Sequence, residues 1–303
     1  MKIFLVGATG YIGGGILRLL VSEGNECVIL SRTEEKAKKL KEELGIEYVI
    51  GGMADDEIVK KAIAGCDAVV FTAMQFGEKA AELDLNLINA VIATGREIAK
   101  TKKFQFIYTS TLWAVGNTAY DGNEERVVDE DFTTERCVEM FKWRAEHEKL
   151  VLAEKTENFL PVVLRPSWVY GKGGYVTMAI DKCKEAGKII YNGDGKSVLN
   201  MVHIDDISAL VALIIKKKAD GIFHACDGKP IQILEIVECF KKILGIEETQ
   251  SLNMPESMNA IGAFAIGQTI YQKAVGRRSL ELGWEIKYPS FKETCLQVYP
   301  NYK

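Results

Sequence analysis

Much that would announce a function is missing from this chain. No apolar run in its 303 residues approaches the roughly 20 that a bilayer-spanning helix needs, so no membrane segment is expected. The seven cysteines are odd in number, scattered and never in Cys-x-x-Cys spacing, which argues against both a disulfide framework and a zinc site. They read as small buried hydrophobes in a reducing compartment. The three histidines, His147, His203 and His224, are not spaced as metal ligands, and no metal is expected. There is no excess of positive charge: the net charge of -4 gives no footprint for nucleic acid or an anionic membrane. Internal repeats, low-complexity tracts and long linkers are also lacking. A secretory leader is not expected, because an apolar strand begins at residue 2, and the expected location is cytoplasmic.

What is present is the composition of a globular enzyme, 48% hydrophobic and 26% charged. Lys2-Ile3-Phe4-Leu5-Val6 is the near-continuous apolar run of a strand buried on both faces of a parallel sheet. Ile16, Leu17, Leu19 and Leu20 then recur at helical spacing. Between strand and helix lies Gly7-Ala8-Thr9-Gly10-Tyr11-Ile12-Gly13. Glycines there bring bare backbone amides to a helix N-terminus, where a pyrophosphate is stabilised, and a dinucleotide site is expected. Cys27 to Leu30 reads as a second buried strand, ending at Ser31-Arg32. An acidic residue at that point would bind the adenosine ribose of NAD, whereas Arg32 offers a planar, fixed charge suited to a 2′-phosphate. NADP is therefore the preferred cofactor, with NAD as the alternative.

The spacing Gly7-x-x-Gly10-x-x-Gly13 resembles the short-chain dehydrogenase/reductase family, and Gly-Ala-Thr-Gly-Tyr-Ile-Gly its extended branch. Leu164-Arg165-Pro166-Ser167-Trp168-Val169-Tyr170-Gly171 is similar to that branch's Leu-Arg-Pro-x-x-Val-Tyr-Gly signature. Asn192-Gly193-Asp194-Gly195, His203-Ile204-Asp205-Asp206 and Ser279 to Trp284 resemble its later segments in the same order, so the likeness spans the chain. By that resemblance Gly7, Thr9, Gly10, Tyr11, Ile12, Gly13, Ser31, Arg32, Met53, Ala73, Met74, Thr109, Arg144, Pro166, Ser167 and Val169 would contact the cofactor. It also makes Thr111 the catalytic threonine and implies a homodimer formed by the helices near 79–99 and 134–157. Gly51-Gly52-Met53 departs from the family's Gly-Asp-Leu, which leaves only backbone contact to the adenine there.

A second departure touches the chemistry itself. The family's tyrosine and lysine lie four residues apart on one helix face, the spacing at which side chains become neighbours, and together they move a proton at the substrate oxygen. No tyrosine occurs between Tyr120 and Tyr170, and the two positions fall on Met140 and Arg144. A thioether has no proton to give, and Arg stays charged throughout, so it clamps hydroxyls without titrating. Lys142 points away from that face. The Tyr288/Lys292 and Tyr299/Lys303 pairs have the spacing by chance, each with a proline after its tyrosine. Cys137, one turn before Met140, and Tyr170 are the substitutes considered, against packing roles for both. His203 reads as structural and Asp205-Asp206 as a helix cap.

The expected fold is an α/β doubly wound parallel sheet with a smaller C-terminal substrate domain, divided as 1–165 and 166–303, with 200–228 returning to the sheet. The expected function is that of an NAD(P)-binding oxidoreductase or sugar-nucleotide epimerase/dehydratase-like protein. Its substrate would be a small carbonyl or hydroxyl compound or a nucleotide sugar, turned over with weakened or non-standard acid/base help. The alternative is a non-catalytic dinucleotide-binding sensor or assembly protein, since function belongs to the site and not to the fold.

Overall fold

The computed structural model describes residues 1–262, 264–300 and 302, so Lys303 of the Tyr299/Lys303 pair lies outside the described residues. Apolar runs and amphipathic stretches alternate along the first part of the chain, and the elements follow them. They are β1 (Lys2–Val6), α1 (Tyr11–Ser22), β2 (Glu26–Ser31), α2 (Glu34–Leu44), β3 (Glu47–Ile50) and α3 (Asp56–Ile63). Next come β4 (Ala68–Phe71), α4 (Ala80–Ala99), β5 (Phe104–Thr109), α5 (Lys142–Leu152) and β6 (Phe159–Pro166). Every residue of β4, β5 and β6 is buried, as expected of parallel strands covered on both faces. With a later strand, β11 (Gly221–Ala225), the six strands β1 to β6 form a seven-stranded sheet in the order β11-β6-β5-β4-β1-β2-β3. β1 pairs in parallel with both β2 and β4, and the chain reverses its direction of growth between β1 and β4. Ligands of open α/β sheets bind at such a switch point, beyond the carboxyl ends of the strands.

The remaining elements are β7 (Trp168–Tyr170), α6 (Gly174–Ala186), β8 (Ile189–Asn192), β9 (Val198–Leu199), β10 (Met201–His203) and α7 (Ile204–Lys217). They are followed by β11 (Gly221–Ala225), β12 (Ile231–Gln232), α8 (Ile233–Leu244), β13 (Thr249–Leu252), α9 (Met254–Ile261), α10 (Phe264–Gly267), α11 (Arg277–Glu281) and α12 (Phe291–Val298). Two compact units result. The first holds residues 1–111, 139–165 and 207–223, and the second 112–138, 166–206 and 224–303. The core of the first centres on Phe4, Phe71, Leu87, Phe104, Phe106 and Tyr108. That of the second is built from Tyr170, Ile180, Ile189, Phe240 and Phe291, between small two-stranded sheets.

The helix expected over 134–157 is shorter. Residues 134–138 form a turn closed by Cys137 N–H on the Thr134 carbonyl, a 3-10 turn covers Glu139–Phe141, and the α-helix runs only over Lys142–Leu152. At the front, Val138 N–H donates to the Trp113 carbonyl, outside any helical ladder. At the back, Thr156 accepts Phe159 N–H on its hydroxyl, a polar side chain competing with the backbone. Asp55 stands at the N-cap position of α3, but its carboxylate accepts the Gly52 amide at 2.7 Å and no N–H of the helix.

Candidate functional site

The glycine turn is shaped by close approach. Gly7 sits at φ +91°, and a Cβ there would come within 2.5 Å of the Ala73 backbone nitrogen, so β1 and the strand end beside it leave no room for a side chain. A Cβ on Gly13 would lie 2.3 Å from the Gly7 carbonyl, which lets α1 pack tightly on the turn. Gly10 differs. It is exposed, its N–H closes the turn on the Gly7 carbonyl at 2.9 Å, and an added Cβ would meet only that oxygen, at 3.1 Å. The space ahead of the first turn of α1 is thus open, and no acidic side chain stands in that turn. First-turn amides lack intrahelical acceptors and carry the positive end of the helix dipole, so this cradle fits a pyrophosphate. Thr9 is exposed beside it, with Tyr11 and Ile12 half-buried.

At the end of β2 the Ser31 hydroxyl is buried and donates to the Thr33 carbonyl at 2.8 Å, whereas Arg32 is exposed. Met53 and Ala73 are half-buried against the core of the first unit, and Met74 is exposed. In the second unit the Ser167 amide and hydroxyl both donate to the Ala225 carbonyl, at 3.0 and 3.2 Å. Pro166 closes β6, and Val169 lies half-buried in β7.

The end of β5 is the most unusual part. Thr109 and Ser110 are buried, and neither hydroxyl has a hydrogen-bond partner among the described residues. Thr111, the next residue, is half-exposed. Met140 is 43% exposed, but Arg144, one turn further on, is only 2% exposed and points inward. Its Nη1 donates to the Thr109 carbonyl at 2.9 Å and to Tyr108 Oη at 3.2 Å, while Nη2 lies 3.6 Å from Asp84 Oδ1. Asp84 Oδ2 accepts the Tyr108 hydroxyl and pairs with His147 Nδ1, each at 2.8 Å. Burial holds the Tyr108 phenol well above its ordinary pKa, so this tyrosine is no proton donor to a ligand. Beside it Arg165 forms a buried, two-pronged pair with Glu148, at 2.6 Å from Nη2. Sequence reasoning missed Asp84, Tyr108, His147 and Glu148. The available signal was α5 itself, where Arg144, His147 and Glu148 share the buried positions with Ala145 and Val151.

The two substitutes considered for the missing acid are committed elsewhere. Tyr170 is fully buried in the second unit, with Oη 3.3 Å from both the Tyr288 carbonyl and Thr294 Oγ1, and burial raises its pKa. Cys137 is buried with Sγ 3.5 Å from the Val138 carbonyl. Tyr288 stacks on His203 at 3.7 Å between ring centres, and Lys292 pairs with Glu235 at 2.6 Å. His203 Nδ1 accepts the Asp205 amide, Lys172 pairs with Asp205, and both Asp206 oxygens accept backbone N–H groups, from Lys287 and Tyr288. The second unit also carries an aromatic pair that sequence reasoning passed over. Trp113 and Trp168 meet edge to face at 5.4 Å, and Gly267 lies so close to Trp168 that a Cβ would fall 2.0 Å from its ring. Among the described residues no cluster of three or more His, Cys, Asp or Glu is arranged to hold a metal, and no helix is long and apolar enough to cross a membrane.

Comparison with known proteins agrees with this architecture. The model of the NAD dependent epimerase/dehydratase family matches residues 3–225. An uncharacterised protein of Schizosaccharomyces pombe is 31% identical over 254 residues, covering 81% of each chain. The 4-hydroxy-2-methyl-3-oxo-4-farnesyl-3,4-dihydroquinoline-1-oxide ketoreductase of Stigmatella aurantiaca is 24% identical, over 91% of this chain and 82% of its own. Among solved structures, dTDP-glucose 4,6-dehydratase from Bacillus anthracis, in complex with NAD, superposes with a TM-score of 0.82 at 15% identity, covering 100% of this chain and 96% of the other.

Proposed function

This chain belongs to the NAD dependent epimerase/dehydratase family, and from that premise we propose that it is a nicotinamide-dinucleotide oxidoreductase, NADP-preferring, acting on a small carbonyl or hydroxyl compound. The observation that carries the reading is the cradle at Gly10, open ahead of the α1 N-terminus at the switch point of the sheet. A nicotinamide dinucleotide bound there supplies or accepts hydride. The protein's own residues do the rest. First-turn amides of α1 hold the pyrophosphate, and exposed Arg32 at the end of β2 meets a 2′-phosphate. Thr111 donates a hydrogen bond to the substrate oxygen, and that oxygen exchanges its proton with water, because Met140 stands where a tyrosine would act. A small carbonyl is preferred here over a nucleotide sugar, whose diphosphate calls for cationic partners. The ketoreductase relative is consistent with that preference.

Met140 also favours a second reading, a dinucleotide-binding protein without turnover, because its side chain is exposed and has no proton to exchange. One experiment separates the two. NADPH and NADH are titrated into the purified protein by nicotinamide fluorescence, and NADPH consumption is then followed against aromatic and aliphatic aldehydes and ketones and against nucleotide sugars. Binding with consumption on a small carbonyl supports the enzyme. Binding with no consumption supports the sensor, and no binding overturns both.

A further inference from the structure

We propose that Arg144 and Asp84 are positioning residues: a buried clamp that holds the carboxyl end of β5, so that Arg144 serves the dinucleotide site through the backbone and not by touching the ligand. The geometry is continuous. Arg144 Nη1 reaches the Thr109 carbonyl and Tyr108 Oη, at 2.9 and 3.2 Å. Asp84, from α4, gathers Tyr108, His147 and Arg144 on its two oxygens. His147 lies edge-on to Trp143 at 5.2 Å, and Trp143 Nε1 donates to the Met140 carbonyl at 3.0 Å. The turn that starts α5 and the strand end at Thr109 are therefore tied through one network, buried from Thr109 to His147 and reaching the surface at Trp143 and Met140.

Two features give this clamp a use. First, Arg144 has no reach to spare, since its guanidinium is buried and its donors converge on β5 and Asp84. A Lys ammonium is a point charge on a flexible stem, and it does not reproduce a planar fork that bridges a carbonyl, a phenol and a carboxylate. Second, the strand end it fixes carries two buried hydroxyls, Thr109 Oγ1 and Ser110 Oγ, that have no partner among the described residues. Buried polar groups left unpaired in a folded chain call for a ligand or water, and these two stand at the carboxyl edge of the sheet where ligands bind.

The test compares Asp84→Asn, Arg144→Lys and the milder Tyr108→Phe with the native chain. Hydrogen exchange of the amides from Ser110 to Trp113 is read without ligand, and NADPH affinity is read by fluorescence. The expected result is faster exchange at those amides in all three, and NADPH binding weakened about tenfold by both Asp84→Asn and Arg144→Lys. The double variant should be little worse than either single one, because the residues act as a unit. If Arg144→Lys binds NADPH as well as the native chain while Asp84→Asn has no effect, the dinucleotide site does not depend on the network and the clamp is wrong. If the variants only lose thermal stability, with exchange and affinity unchanged in the folded state, the network is structural and the clamp is again wrong. The affinity readout rests on the dinucleotide reading, but the exchange readout does not. A native chain that fails to bind NADPH therefore sinks that reading, and exchange still decides the clamp; should the Asp84 and Arg144 variants fail to fold, Tyr108→Phe decides it.

Discussion

The three glycines of the first turn carry different burdens, and substitution should separate them. A side chain on Gly13 must displace the Gly7 carbonyl, 2.3 Å from where its Cβ would sit. Gly13→Ala should accordingly cost about 1–3 kcal/mol of stability, read by urea unfolding. Gly10 has only a 3.1 Å neighbour and faces open space, so Gly10→Val should fold and yet lose NADPH binding, because its methyls fill the place of the pyrophosphate. Normal binding by a folded Gly10→Val would remove the phosphate from this turn. At Arg32 the question is selectivity. Exposed at the end of β2, it should favour NADPH over NADH about tenfold through a charge-assisted pair, and Arg32→Ala should bring the two affinities together. Equal affinities in the native chain, measured by calorimetric titration, would contradict it.

At the scale of elements, legibility followed periodicity. β1 and α1 could be read from the sequence because a continuous apolar run, helical apolar spacing and glycine spacing are local signals. α5 was not. Its front end is set by Val138 pairing with Trp113, and its buried face is charged, so the apolar stripe that marks a helix is weak there. The direction of Arg144 was equally hidden, since its counter-charge sits 60 positions earlier at Asp84. Position alone suggested a ribose contact, and only the fold brings α4 against α5. This bears on any attempt to restore the missing acid. Met140 is exposed at the start of α5, so Met140→Tyr with Arg144 kept should raise turnover of an accepted carbonyl, by up to the roughly 10²- to 10⁴-fold that general acid help supplies. Adding Arg144→Lys should take part of that gain away by opening the clamp. A double variant faster than Met140→Tyr alone, in steady-state rates, would show that a lysine is what the position wants.

For the whole molecule, two buried groups of the second unit tie stability to pH with opposite signs. Burial holds the Asp227 carboxyl up at about 8, with Oδ1 accepting the Lys229 amide and Oδ2 unpartnered among the described residues. Unfolded, that group loses its proton near 3.8, so between these limits the folded chain carries the extra proton. Its contribution is complete below 3.8 and is lost as pH rises to about 8, at roughly 1.4 kcal/mol per pH unit at most. His203 is the reverse case. Burial lowers it to about 4 from 6.5, so the unfolded chain binds the extra proton over that interval, and the contribution is present above 6.5 and lost as pH falls to 4. From about 4 to 6.5 the two slopes nearly cancel, and above 6.5 that of His203 is spent while that of Asp227 continues. Unfolding free energy from urea titrations should thus stay level through mild acid and decline from pH 6.5 to 8. Asp227→Asn keeps an oxygen for the Lys229 amide but has no proton to lose. The variant should abolish the decline and rise with pH between 4 and 6.5, where His203 then acts unopposed. A native chain whose stability does not fall between pH 6.5 and 8, or an Asp227→Asn variant whose profile parallels the native one, would mean that Asp227 is ionised in the folded protein and finds a partner there.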